Sequence, residues 1–335
     1  MKDCVEELFS SAIKELNEKG KVLSSTSLAL IMLSRIEELI SRTENISSLR
    51  YLAEYLDRII KIRSSAILLH NIIRELLKKA NRYLEEARED SVDKIVQEII
   101  KLRKMIIGSL QALGTITSKR IESGDVIMTH AYSTSVFMAL KTAIKEGKDI
   151  RVYVSESRPF SNGITMAENL EKLGVEVTLF VDSAMRYFMK EVDKVLLGAE
   201  AIAANGAVVG KVGSSLLSLV AHEARVRVLV ISSIMKFSPE TFLGELIEEE
   251  RTTPDVMLSK DIIAELHKLG VKFYVPVLDF TPPEYIDLIV TERGIIAPQA
   301  VTFIVRELYG WPPEVPNVSE LLRRFRLKIE EVITK

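Results

Sequence analysis

The sequence predicts an α/β protein in which an N-terminal helical bundle is followed by a doubly wound, Rossmann-like parallel-sheet domain. Three observations carry this reading. The first proline is Pro159, and the first 118 residues hold only Gly20, Gly108 and Gly114, so that stretch nearly lacks the residues that interrupt helices. After Gly124, short β-branched runs appear, most of them separated by segments of helix length. These runs are apolar nearly throughout rather than alternating, as strands buried on both faces are.

The helical part is read from its spacing. MKDCVEELFSSAIKEL carries acids inside its apolar pattern and reads as a helix start, since a signal peptide needs a continuous apolar stretch. Ile36, Leu39 and Ile40 fall on one helical face, as do Leu52, Tyr55, Leu56, Ile59 and Ile60. Ile72, Leu76 and Leu77 continue the pattern between Leu68 and Leu84, and a last long helix runs from about Val92 to Leu113, with Gly114 as its stop. Heptads are not sustained, which favours a globular bundle of four or five helices over a coiled coil. The strand runs are DVIMT (125–129), IRVYV (150–154), VEVTLFV (175–181), DKVLLG (193–198), VRVLVI (226–231), VKFYVPVL (271–278) and YIDLIVT (285–291). From Trp311 the chain reads as a separate amphipathic helix, and the sequence leaves open whether it packs on the domain or on a partner. The expected domains are 1–118, helical; 119–310, α/β, for ligand binding and dimerisation; and 311–335, a helical tail.

Composition narrows the function. The chain has 335 residues, 47% hydrophobic and 27% charged, with a formal net charge of -2, which does not suit a broad nucleic-acid-binding face. A single cysteine, Cys4, rules out an internal disulfide framework and a Cys-rich zinc site, and the four histidines lack ligand spacing. Neither a metal nor a cofactor is expected. No run of about 18 apolar residues is present, so a cytoplasmic protein without a membrane span is expected. Abundant Lys and Glu with scarce Cys fit a heat-adapted protein.

In doubly wound sheets ligands bind beyond the C-terminal strand ends. The segments there are THAYSTS (129–135), SESRPFSNG (155–163), DSAMR (182–186), GAEAIAANGAVVGKVGSS (198–215) and SSIMKFSP (232–239). Their candidate ligand-binding residues are Thr129, His130, Ser133, Arg158, Asp182, Glu200, Asn205, Lys211, Gly213, Ser214 and Lys236. Cations, turn glycines and exposed amides together suit a phosphorylated small molecule. GAVVGKVGSS resembles a phosphate loop but is not one of the Walker type. Gly206 and Gly210 stand one residue too close, and Val212 occupies the magnesium-binding position. What remains is a Gly–Lys–x–Gly turn opening a helix at Ser214, whose free N–H groups and dipole can hold an anion; the plainer alternative is a lysine on an ordinary turn with Ser214 as N-cap. Glu200 reads as a buried acid/base carboxylate or as a structural ion pair, and His130 as a hydrogen-bonded strand-end histidine. Hydrolase and dinucleotide-binding signatures are missing.

These segments, with KF at 236–237 and DFTPPEYIDLIVTERGIIAP at 279–298, come in an order that resembles the translation initiation factor 2B regulatory subunits (alpha, beta, delta). That family also contains ribose-1,5-bisphosphate isomerase and methylthioribose-1-phosphate isomerase. The resemblance covers about residues 120–310 and implies an N-terminal helical domain as well. It further implies that the isomerases carry a cysteine just after the Thr-His pair and an aspartate after Gly-Ala. Here those positions hold Ala131 and Glu200, the form seen in the alpha subunit. Where the isomerases tend to have Asn-Lys-x-Gly-Thr, this chain has Gly210, Lys211, Gly213 and Ser214.

Alanine has no transferable proton, and proton transfer between adjacent carbons needs positioned acid and base groups. Glutamate for aspartate moves a carboxylate by about 1.5 Å, where about 1 Å can already lower a rate by about 10²-fold. The expectation is therefore a non-catalytic regulatory subunit. Its implied partners are translation initiation factor 2, chiefly the alpha subunit, and a second copy of itself, with a sugar phosphate or nucleotide in a degenerate pocket. The alternative is a sugar-phosphate isomerase acting on ribose 1,5-bisphosphate through Glu200. A third reading, compatible with the first, is a sensor whose dimer or partner affinity responds to such a ligand.

Overall fold

A computed structural model of the chain describes residues 2–19, 23–41, 45–63, 65–86, 90–247 and 249–334. Five helices come first: α1 (Lys2–Lys19), α2 (Ser25–Ser41), α3 (Leu49–Ile62), α4 (Ile67–Glu85) and α5 (Ser91–Ser118). The alternating part follows as β1 (Val126–His130), α6 (Thr134–Lys145), β2 (Arg151–Ser155), α7 (Asn162–Glu171), β3 (Glu176–Phe180), α8 (Met185–Phe188) and β4 (Lys194–Gly198). A hairpin of β5 (Ala201–Ile202) and β6 (Val208–Lys211) leads to α9 (Ser214–Ala224), β7 (Arg227–Ile231), α10 (Lys260–Lys268) and β8 (Leu278–Thr281). The chain ends with β9 (Leu288–Thr291), β10 (Gly294–Ile296), α11 (Val301–Tyr309) and α12 (Val318–Thr334). No helix among the described residues is long and apolar enough to cross a membrane.

The chain forms two compact units, one of residues 1–109 with 314–335 and one of residues 110–313. The first is a helical bundle. Ile36, Leu39 and Ile40 of α2, and Leu52, Tyr55, Leu56 and Ile59 of α3, are buried, as their spacing implies. α12 closes this unit by packing on α3 and α4. Leu321, Leu322, Phe325 and Ile329 are its buried face. Polar contacts fix its start: Arg74 Nε donates to Pro316 O and Asn81 Nδ2 to Leu321 O, both at 3.0 Å. The question the sequence left open about this helix is thus answered within the chain.

The second unit is built on a seven-stranded sheet in the order β10-β9-β7-β4-β1-β2-β3, parallel except for β10. Val195 and Leu197 of β4 face one apolar cluster and Leu196 the other, so both faces are covered and the runs read as continuously hydrophobic. A second sheet, β5-β6-β8, is antiparallel and small. One strand expectation is corrected. The run 271–278 is not a member of the main sheet; residues 271–275 form no strand, and β8 begins only after Pro276, at Leu278. Proline cannot donate to a ladder, and Val271 and Tyr274 are exposed, so apolar composition alone misplaced this element.

Candidate functional site

The crevice follows from strand order. The chain runs outward from β1 to β2 and β3, then returns to place β4 on the other side of β1. The ends of β1 and β4 therefore flank the switch point at which open α/β sheets bind ligands. Thr129, His130 and Ala131 close β1, while Gly198, Ala199 and Glu200 follow β4.

Glu200 is 6% exposed, and its backbone N–H donates to Val209 O at 2.8 Å, which ties it to β6. Lys211 ends β6, and its Nζ lies 4.0 Å from Glu200 Oε1. The hairpin thus brings a carboxylate and an ammonium together at its open end, both side chains largely shielded from water. Such a pair keeps its net favourable energy only if each charge has its counterpart. Lys236, also buried, donates from Nζ to Ala199 O at 2.6 Å and so braces the peptide next to Glu200.

The turn after Lys211 is held from several sides. His130 Nε2 lies 2.8 Å from Val212 O, which can only accept, so Nε2 carries the proton. Nδ1 is then the acceptor for the Ser155 hydroxyl at 2.6 Å. Burial holds His130 below the usual imidazole range, against the opposing pull of the Asp182 carboxylate, so the ring is neutral and structural at neutral pH. It packs close to Gly213, where a Cβ would come within 2.6 Å of the ring; with φ at +106°, glycine is required there. Ser214 Oγ donates to Lys211 O at 2.7 Å.

Asp279 completes the clamp. Its Oδ2 accepts from Gly213 N at 2.7 Å and from Ser215 N at 3.0 Å. The N-terminus of α9 was expected to offer its N–H groups to an anion; two of them instead bind this carboxylate. Burial pushes the Asp279 carboxyl up to about 6, against the lowering effect of those two N–H groups, and Oδ1 has no hydrogen-bond partner among the described residues. Sequence reading assigned Asp279 no such role. The signal that would find it is the pairing of β8 with β6, which puts Asp279 opposite Gly210.

The remaining candidates divide into two groups. Asp182 takes the N–H groups of Ser157 and Arg158 at 2.8 Å each, fixing the turn after β2. Ser157 Oγ in turn accepts from Ala131 N at 2.5 Å. Ala131 (φ 60°) and Ser157 (φ 64°) are both left-handed, a strain of about 1–3 kcal/mol each that clusters at functional sites. Arg158 turns its guanidinium to the carbonyl of Val256 at 3.0 Å. The others serve the scaffold. Thr129 Oγ1 donates to Leu196 O, pinning β1 to β4, and Ser133 caps α6 through Val136 N. Asn205 lies at the closed end of the β5–β6 hairpin, where its Oδ1 accepts from Ala207 N. The structure therefore does not bring Asn205 to Glu200 and Lys211, although it is close to both in sequence.

Comparison with known proteins adds a second line of observation. Residues 21–298 match the model of the initiation factor 2 subunit family. The ribose 1,5-bisphosphate isomerase of Methanocaldococcus jannaschii is 38% identical over 253 residues, 76% of this chain and 79% of that protein. Its namesake from Thermococcus kodakarensis is 36% identical over 301 residues, 89% of this chain and 92% of that one. Among solved structures, translation initiation factor eIF-2B of Pyrococcus horikoshii superposes with a TM-score of 0.69 at 24% identity, covering 88% of this chain and 97% of that one. The 5-methylthioribose 1-phosphate isomerase of the same organism gives 0.68 at 20%, covering 91% and 88%. These last two share the fold.

The relatives correct the expectation of a non-catalytic regulatory subunit that binds initiation factor 2. Proteins 36–40% identical over most of the chain are named ribose 1,5-bisphosphate isomerase, which favours an enzyme over a non-catalytic subunit. The error was to read Ala131 and the Glu200 for aspartate exchange together as a lost catalytic pair. One missing side chain does not dismantle a site in which Glu200 and Lys211 remain buried and paired.

Proposed function

The chain belongs to the initiation factor 2 subunit family, and within it we propose that it is a sugar-phosphate isomerase, converting ribose 1,5-bisphosphate to ribulose 1,5-bisphosphate. The observation that carries this is the buried Glu200–Lys211 pair at the β1/β4 switch point. Opening a ribose 1-phosphate to a 2-ketose redistributes protons without net gain. The ring oxygen takes a proton as its bond to C1 breaks, C2 loses one, C1 gains one, and the C2 hydroxyl loses one. A carboxylate on one face of the sugar can take the C2 proton and return it to C1. Ala131 offers no proton, so this work falls to Glu200. Lys211 balances the carboxylate and meets the negative charge that grows on oxygen as the enediol forms. Lys211 is the cation at the pair that can meet a phosphate group, while Arg158 would have to leave the Val256 carbonyl to do so.

Incubation of the purified chain with ribose 1,5-bisphosphate, followed by NMR, is expected to show ribulose 1,5-bisphosphate. No turnover at high protein concentration would remove the reading.

We also propose that the enzyme is a homodimer. The solved relatives include a tetrameric eIF2B complex from C. thermophilum, at 17% identity. In this chain Phe303, on α11, is 73% exposed, an apolar ring that a second copy would cover. Phe303→Asp is expected to yield a monomer by light scattering coupled to size exclusion; an unchanged mass would count against this face.

A further inference from the structure

Asp279 is expensive to keep. Its charge is largely buried, its only hydrogen bonds among the described residues come from two backbone amides, and one of its oxygens has no partner there. A serine or asparagine would cap a helix N-terminus without that burial penalty. A buried polar atom without a partner calls for an explanation.

The explanation lies in what the turn carries. Lys211 pairs with Leu278 and Gly210 with Asp279, so the Asp279 side chain starts beside the last residues of β6. From there it takes hold of Gly213 and Ser215, on the far side of the turn from Lys211. His130 secures Val212 between them. Lys211 is therefore the last strand residue before a turn whose amides are locked by a charge-assisted contact, and its ammonium faces Glu200. We propose that Asp279 is a positioning residue that fixes Lys211 relative to Glu200 and, by occupying the α9 N-terminus, directs the substrate's phosphate to Lys211 instead of to the helix amides. This rests on the isomerase reading for its substrate but not for its geometry.

The test is a double-mutant cycle read by calorimetric binding of ribose 1,5-bisphosphate to the full chain, with turnover measured in parallel. Asp279→Ala is expected to weaken binding about tenfold in the native background and to add nothing in a Lys211→Met background, because the effect passes through Lys211. Asp279→Asn, which still accepts from the two amides but without the charge, should recover only part of the loss. If Asp279→Ala does not fold, Asp279→Ser enters the same cycle. An equal loss in both backgrounds would make Asp279 merely structural and overturn the proposal. So would tighter binding by Asp279→Ala, the result expected if the carboxylate only repels phosphate. If the native chain binds the sugar without converting it, the isomerase reading fails while the cycle still decides the role of Asp279.

Discussion

Glu200→Gln is expected to lower kcat for ribose 1,5-bisphosphate by about 10²–10⁴-fold, the range of a lost general acid–base group. That corresponds to about 3–5 kcal/mol in the barrier. Glutamine keeps the volume and an acceptor oxygen, so it fits the 6% exposed site, but it cannot carry a proton from C2 to C1. It also leaves Lys211 beside a neutral group, so the ammonium binds phosphate at least as well as before. The variant should therefore show an unchanged or smaller KM, a loss confined to kcat. Glu200→Asp withdraws the carboxylate by about 1.5 Å and should fall between the two. Steady-state kinetics on the three proteins decide it. A Glu200→Gln enzyme within about tenfold of the native kcat would mean the proton is carried elsewhere.

Much of this architecture was legible in the sequence, for a physical reason. The middle of the main sheet is buried on both faces, so β1, β2, β4, β7 and β9 are nearly continuous apolar runs that stand out. Edge strand β3 instead leaves Leu179 46% exposed and is not buried on both faces as its composition suggested. The crevice followed from strand ends, and the segments holding Glu200 and Lys211 were among those singled out. What stayed hidden depends on pairing across long separations. The second sheet is made of strands two to four residues long, and β8 joins it from more than sixty residues away, so neither periodicity nor propensity announces it. Asp279 acts through that sheet and was hidden with it. Asn205 shows the converse error. It is six residues from Lys211 in sequence, but a hairpin turns that closeness into separation.

Side-chain direction was the other unreadable quantity. Lys236 looked like a phosphate ligand because it is a lysine after a strand, yet its ammonium points inward to Ala199 O. Thr129 and Ser133 likewise spend their hydroxyls on the scaffold. Residue type at a strand end indicates what chemistry is available there. Which groups face the ligand is set by the backbone carbonyls competing for them.

Asp279→Asn should stabilise the protein at pH 7.5 and do little at pH 4. Burial raises the carboxyl from its ordinary 3.8 to about 6. Between those values the folded chain holds a proton that the unfolded chain has released. Stability from this group is therefore fully present below pH 4 and is lost as pH rises through 6. Above pH 6 the ionised group opposes folding by up to about 3 kcal/mol, a figure already net of the two N–H bonds that favour the charge. Asparagine keeps an acceptor for Gly213 and Ser215 without a charge to desolvate. Thermal unfolding should show a Tm about 5 °C higher than the native protein at pH 7.5 and a difference near zero at pH 4. An equal shift at both pH values would place the effect in packing and not in ionisation. If stability rises while kcat/KM falls, the native carboxylate is held against the fold's preference, as expected for a group retained for what it does to Lys211.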